Sequence, residues 1–130
     1  MRSRILFISG RHDDAPQLSR MLGSLPVALE HVETYQQART LLHQCDYDVL
    51  LTESVLPDAG WLDVLQLARE LPGDLEVIVT DPHADARFWA EALNLGAYDL
   101  LSQPFYAPEV RRILYNACSR PDYRRYSAAV

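Results

Sequence analysis

Tyr47-Asp48-Val49-Leu50-Leu51-Thr52-Glu53, running on into Ser54-Val55-Leu56-Pro57-Asp58-Ala59-Gly60, decides the fold of this 130-residue chain. Val49-Leu50-Leu51 is a short continuous apolar run, the pattern of a strand buried on both faces. Pro57-Asp58-Ala59-Gly60 is turn chemistry. Trp61, Leu62, Val64, Leu65 and Ala68 then recur at helical spacing, and Pro72-Gly73 ends them. The stretch therefore reads strand, turn, helix.

The same unit recurs on both sides of it. Ile5-Leu6-Phe7-Ile8 is a first apolar strand. Asp14 is placed to cap a helix with Pro16 in its first turn and Leu18, Met21, Leu22 and Leu25 on one face, stopped by Pro26. Val27 to Val32 reads as a second strand, and Thr34 as the cap of a helix carrying Ala38, Leu41 and Leu42. Val77-Ile78-Val79 is a fourth strand, and Ala84 to Leu95 a helix with Gly96 as its stop. Tyr98 to Ser102 is a fifth strand, and a last helix begins near Pro108 with Val110, Ile113, Leu114 and Ala117. Strand and helix alternating five times predict an α/β fold. It is a single doubly wound (βα)5 domain, with a five-stranded parallel sheet and helices on both faces. We expect residues 1–120 to form the domain and 121–130 a C-terminal tail or the start of a linker.

Composition narrows the function. Hydrophobic residues make up 48% and charged residues 23%, ordinary for a globular domain. No apolar run is long enough to span a bilayer, and Met1-Arg2-Ser3-Arg4 does not open a secretory signal. The expected location is cytoplasmic, away from membranes. Residues 1–110 carry 7 Arg against 17 Asp and Glu, a net −10, whereas residues 111–130 carry 5 Arg against Asp122 alone. An acidic body argues against direct nucleic-acid binding. All 12 basic residues are arginines, so chemistry that needs a lysine ammonium is excluded. Cys45 and Cys118 have no metal-type spacing and read as buried free thiols. His12, His31, His43 and His83 are scattered, and no enzyme-like nucleophile arrangement forms; the chain is not expected to be an enzyme.

In such sheets the functional crevice lies beyond the carboxyl ends of the strands. Ser9 and Gly10 follow the first strand, Thr52 and Glu53 end the third, Thr80 and Asp81 follow the fourth, and Ser102 to Phe105 follow the fifth. Three pieces of sequence, in this order and spacing, resemble the receiver domains of response regulators. They are Tyr47-Asp48-Val49-Leu50-Leu51 leading to Leu56-Pro57, Val77-Ile78-Val79-Thr80, and Leu95-Gly96-Ala97 leading to Gln103-Pro104-Phe105. The resemblance implies a flavodoxin-like architecture and a role in two-component signalling. In that family an aspartate after the third strand accepts a phosphoryl group. An acidic pair after the first strand helps to hold Mg²⁺, and a Thr or Ser and a Lys contact the phosphoryl oxygens.

Carried over residue by residue, the acidic pair falls on Ser9 and Gly10, the acceptor on Glu53, and the lysine on Gln103. Only Thr80 matches the pattern. The aromatic that switches rotamer falls on Leu100, and Gly60 comes one residue early after Pro57. Losing both sources of cation removes the electrostatic support that phosphoryl transfer needs. Asp13 and Asp14 are the remaining metal-ligand candidates, read otherwise as an acidic start to the first helix. No cofactor is expected.

The leading expectation is a pseudo-receiver, a phosphorylation-independent module for protein–protein interaction or dimerisation in signal transduction and transcription regulation. Glu53, held by Thr80 or Gln103, would imitate a phosphorylated aspartate, or would be a drifted carboxylate. Interface candidates by resemblance are Phe88, Trp89, Tyr98, Tyr106, Arg111, Arg112 and Tyr115, with one of Phe88 and Trp89 turned inward. An output domain in a longer chain is a further expected partner. One alternative is a small-ligand sensor using Thr52, Glu53, Thr80, Gln103 and His83. Another is an atypical phosphoacceptor in a phosphorelay.

Overall fold

The apolar runs pair into one sheet. The computed structural model describes residues 2–128, with side chains from 120 onward outside the description. Along the chain come β1 (Ser3–Ile8), α1 (Asp14–Met21), β2 (Val27–Val32), α2 (Tyr35–Gln44) and β3 (Val49–Glu53). They are followed by α3 (Trp61–Glu70), β4 (Glu76–Asp81), α4 (Ala86–Asn94), β5 (Asp99–Ser102) and α5 (Ala107–Ala128). The strands are all parallel, in the order β2-β1-β3-β4-β5. The strand order reverses between β1 and β3, so a crevice opens at their carboxyl ends.

Period-two alternation sends successive side chains to opposite faces. Ile5, Phe7, Val49, Leu51, Ile78 and Leu101 pack under α1 and α5. Leu6, Ile8, Leu50, Val77, Val79 and Leu100 pack under α2, α3 and α4. The three central strands are therefore apolar on both sides, as their uninterrupted runs predict. No helix among the described residues is long and apolar enough to cross a membrane.

Several boundaries differ from expectation. α1 starts at Asp14 with Asp13 in the capping position, and Asp13 makes no side-chain cap. The helix ends at Met21, so Leu25 lies beyond it in a turn, its amide on the Leu22 carbonyl. α4 starts two residues later than expected because the Asp85 carboxylate caps it by accepting from the Phe88 amide. The backbone of α5 continues through Ala128. Both cysteines are half-buried rather than buried. Cys118 packs on the core, and burial pushes its thiol up to about 11.

The expected cap of α2 is present. The Thr34 hydroxyl accepts from the Gln37 amide, and Gln37 Oε1 accepts from the Glu33 and Thr34 amides. A second device was not foreseen: Asp58, on the β3–α3 loop, accepts from the amides of Tyr35 and Gln36 at 2.8 and 3.0 Å. One carboxylate thus fastens the loop to the N-terminus of α2, where negative charge is favoured.

The opposite end of the sheet is held by polar groups. Arg4 pairs with Glu30 at 2.7 Å and lies 4.6 Å over the Tyr47 ring, while the Tyr47 hydroxyl donates to Glu30. Burial first, then the bond to Glu30, pushes the Tyr47 phenol up to about 12. The folded chain holds that proton more tightly than the unfolded chain, whose phenol has the ordinary value near 10. The contribution is complete below pH 10 and is lost as pH rises toward 12. An ultraviolet titration should show one tyrosine ionising near 12, and Tyr47→Phe should abolish that step; its persistence in the variant would refute the assignment.

Candidate functional site

The carboxyl ends of β1, β3 and β4 and the β5–α5 connection bring the expected site residues toward one crevice. Parallel register sets Ile8 beside Thr52 and Glu53 beside Thr80. Glu53 is 9% exposed, and its carboxylate already has partners. Oε1 accepts from the Gly10 amide at 2.8 Å, and Oε2 lies 3.9 Å from Arg11 Nε. A backbone donor to a carboxylate is a charge-assisted bond. The guanidinium is largely exposed, so its share is small.

The β1–α1 loop can reach Glu53 because of Gly10. A Cβ there would lie 3.3 Å from both Cγ and Cδ of Pro57, tighter than ordinary packing. Ser9 is fully buried, and its hydroxyl is spent locally, accepting from the Arg11 amide and donating to the Arg11 carbonyl. Its carbonyl bonds His31 Nε2 at 2.9 Å. The two positions of the acidic pair therefore bring no carboxylate, and one brings an amide that engages Glu53.

Neither expected partner of Glu53 meets it. The Thr80 hydroxyl is buried with no hydrogen-bond partner in the protein, and so is Gln103 Nε2. This corrects the expectation that Thr80 or Gln103 holds the carboxylate. The ligand-contact set is likewise dispersed: Thr52 donates to its neighbour's carbonyl, and His83 is an exposed residue whose amide donates to Asp81 Oδ1. Leu100 is buried in the core beneath α4, so an aliphatic side chain fills the switch position. Asp13 is exposed, and Asp14 begins α1.

These donors do not fit Mg²⁺, which requires a near-octahedral set of oxygen ligands. The Ser9 hydroxyl is engaged, Gly10 has no side chain, and one Glu53 oxygen is held by an amide. Among the described residues, no three His, Cys, Asp or Glu side chains gather as a metal site, so Asp13 and Asp14 are not assembled into one.

Three contacts at the crevice escape sequence reading. Arg11 brings the only guanidinium seen beside Glu53 among the described residues. The Ser54 hydroxyl donates to Asp81, tying the end of β3 to that of β4. Trp61, the first residue of α3, donates its amide to the Ser54 carbonyl and sets its ring 5.5 Å from that of Phe88.

The interface candidates divide. Phe88 turns inward onto the core beneath α2, α3 and α4, and Tyr98 packs on the separate core beneath α1 and α5. Trp89 is 49%, Tyr106 65% and Tyr115 50% exposed. Arg112 is exposed, while half-buried Arg111 reaches the Met21 carbonyl at 3.5 Å.

Comparison with known proteins agrees with this fold. A family model described as the response regulator receiver domain matches residues 5–115. The chain belongs to that family. It is a receiver domain of two-component signalling, with the flavodoxin-like fold. The response regulator PilR of Pseudomonas aeruginosa is 25% identical over 116 residues, covering 89% of this chain and 26% of that protein. The regulatory protein AtoC of Escherichia coli is 31% identical over 120 residues, 88% of this chain and 25% of its own. The chain thus spans about a quarter of the length of these curated relatives. Among solved structures, the receiver domain of a putative LuxO repressor from Vibrio parahaemolyticus superposes with a TM-score of 0.84 at 19% identity, covering 98% of each chain. The beryllofluoride-activated NtrC4 receiver domain dimer gives 0.82 at 20% identity, covering 90% and 97%.

If the Gly10 amide is what holds Glu53, Glu53→Ala should cost about 1–2 kcal/mol of stability. Arg11→Ala should stay within about 0.5 kcal/mol. Urea unfolding of the two variants decides this, and equal losses would place the hold on the guanidinium instead.

Proposed function

We propose that this receiver works without phosphorylation, as a pseudo-receiver acting through protein–protein contact. One observation carries the reading: the acceptor-position carboxylate of Glu53 is taken up by the Gly10 amide. Where the family places an acidic residue to bind metal, this chain places a donor that satisfies the acceptor. A phosphoryl group arriving here would meet an engaged carboxylate one methylene longer than aspartate. It would also meet Gln103, which has no charge, and no acidic pair to anchor Mg²⁺. Electrostatic stabilisation of the transferring group is the main catalytic resource of such sites. Glu53 in this reading supplies a permanent negative charge at the end of β3 in place of a transient one.

The output is a contact surface. Trp89, Tyr106, Arg112 and Tyr115 are exposed on α4, the β5–α5 connection and α5. Aromatic and arginine side chains are over-represented in binding hot spots. The NtrC4 receiver, on which this chain superposes, is described as a dimer, and AtoC is by name a regulatory protein. We assign this chain a part in regulating transcription from the cytoplasm, through a homodimer or an attached or separate output protein. It has no catalysis of its own and no direct contact with DNA.

Incubation with acetyl phosphate and Mg²⁺ should leave the intact mass unchanged. Ser9→Asp, Glu53→Asp and Gln103→Lys combined should restore a phosphoryl adduct. An adduct on the unaltered chain would overturn the reading and return Asp13 and Asp14 to consideration as metal ligands. For the surface, Trp89→Glu should weaken self-association or partner capture at least about tenfold in sedimentation, roughly one hot-spot side chain's worth.

A further inference from the structure

Trp89 on α4 donates its indole N–H to Asp99 Oδ1, at the start of β5, at 3.0 Å. The same oxygen accepts from the Leu100 amide at 2.7 Å, so the carboxylate is held from two sides. Trp89 is 49% exposed. The indole has one polar atom, its N–H, and that atom is engaged, so what the side chain offers outward is ring. Both bonds to half-buried Asp99 fall on Oδ1. Oδ2 accepts neither of them, and it is not one of the buried atoms that lack a partner. Among the described residues no cation pairs with Asp99: the ion pairs there are Arg4–Glu30, Arg11–Glu53 and His12–Glu33.

A carboxylate oxygen beside an exposed indole suits a flat cation. A guanidinium stacks on an aromatic face and donates N–H to a carboxylate with the same group. We propose that Trp89 and Asp99 receive an arginine side chain of a partner protein, its guanidinium lying on the indole and donating to Asp99 Oδ2. The inference rests on the contact-surface reading above and names the chemistry of the partner. A lysine ammonium suits the pair less, because it is compact, strongly hydrated and cannot stack.

Charge favours a basic partner over a second copy. Residues 1–110 carry 7 Arg against 17 Asp and Glu, a net −10. Two copies would bring two acidic bodies together, whereas a basic segment is attracted to one. The pair is also ordered before anything binds. An exposed tryptophan ordinarily loses rotamer freedom when a partner covers it, and here the bond to Asp99 has already restricted the ring.

NMR titration of the intact, isotope-labelled chain with N-acetyl-L-arginine amide tests the site. Its citrulline counterpart, of nearly the same shape and without charge, is the control. The Trp89 indole signal is identified by its loss in Trp89→Phe. The arginine probe should shift that signal and the Asp99 and Leu100 amides, saturating in roughly the millimolar range expected of one small contact. The citrulline probe should bind at least about fivefold more weakly, and added salt should weaken the arginine probe. Asp99→Asn keeps an acceptor for the indole and for the Leu100 amide and removes only the charge. It should weaken the arginine probe at least about fivefold while the Trp89 signal of the unbound chain stays near its place. Equal binding of the two probes, unchanged binding by Asp99→Asn, shifts centred elsewhere or no saturable shift would each overturn the proposal. None of these touches the contact surface as such, which stands or falls separately on Trp89→Glu in sedimentation.

Discussion

A parallel sheet buried on both faces constrains everything else in this chain. The middles of its central strands are buried apolar side chains on both faces, so every connection must leave the sheet, cross a face as a helix and return. Polar groups with work to do are pushed to the strand ends. Ser9, Thr52, Glu53, Ser54 and Thr80 are the buried polar residues gathered at the carboxyl ends. The Gly10–Glu53 bond depends on this arrangement. It joins the end of β1 to the end of β3, the neighbours between which the strand order reverses.

The balance of charge at that bond explains how a receiver crevice with Ser9, Gly10 and Gln103 at the family's charged positions can fold. A buried carboxylate without a partner is costly. In a receiver that retains the family pattern, cations offset the acidic cluster. Here the cluster itself is gone: Ser9 and Gly10 replace two carboxylates, and the one that remains needs only a backbone donor and a nearby, exposed guanidinium. The substitutions at Ser9, Gly10 and Gln103 are thus mutually consistent. Removing the negative charges lowers the need for the positive ones, and a site with one carboxylate can be stable without any ion.

Patterns local in sequence could be read directly, and contacts between distant segments could not. Apolar runs placed the first, third and fourth strands, and Thr34 marked the start of α2, because periodicity and capping involve residues within a few positions. Asp58 at the start of α2 and Arg11 beside Glu53 span 22 to 42 residues, and nothing in either segment announces the other. Family spacing correctly located Glu53, Thr80 and Gln103 at strand ends but misjudged which of them touch. Strand-end position fixes where a side chain starts, whereas the Gly10 loop, tucked against Pro57, decides what reaches Glu53. Phe88 and Trp89 were ambiguous for a related reason. Adjacent helical positions differ by about 100° in facing, and only the Trp61 ring shows which one turns inward.

The position of Leu100 bears on how any signal would travel. A relay through a switching aromatic needs a flat ring with two resting places, one inside and one out. Leu100 is buried among apolar neighbours beneath α4, and turning it outward would expose apolar surface and open a cavity. Thr80, the residue that would draw such a relay toward a phosphoryl group, is fully buried without a partner for its hydroxyl. The surface bearing Trp89, Tyr106 and Tyr115 is tied to the crevice instead by the Trp61–Phe88 ring contact, by the bond from Trp89 Nε1 to Asp99 on β5, and by backbone. The Gln103 amide donates to the Asp81 carbonyl, and the β5–α5 connection leads from there to Tyr106. In the pseudo-receiver reading that stiffness is the functional property: the contact surface is presented constantly, and regulation must come from what binds the domain rather than from a covalent change within it.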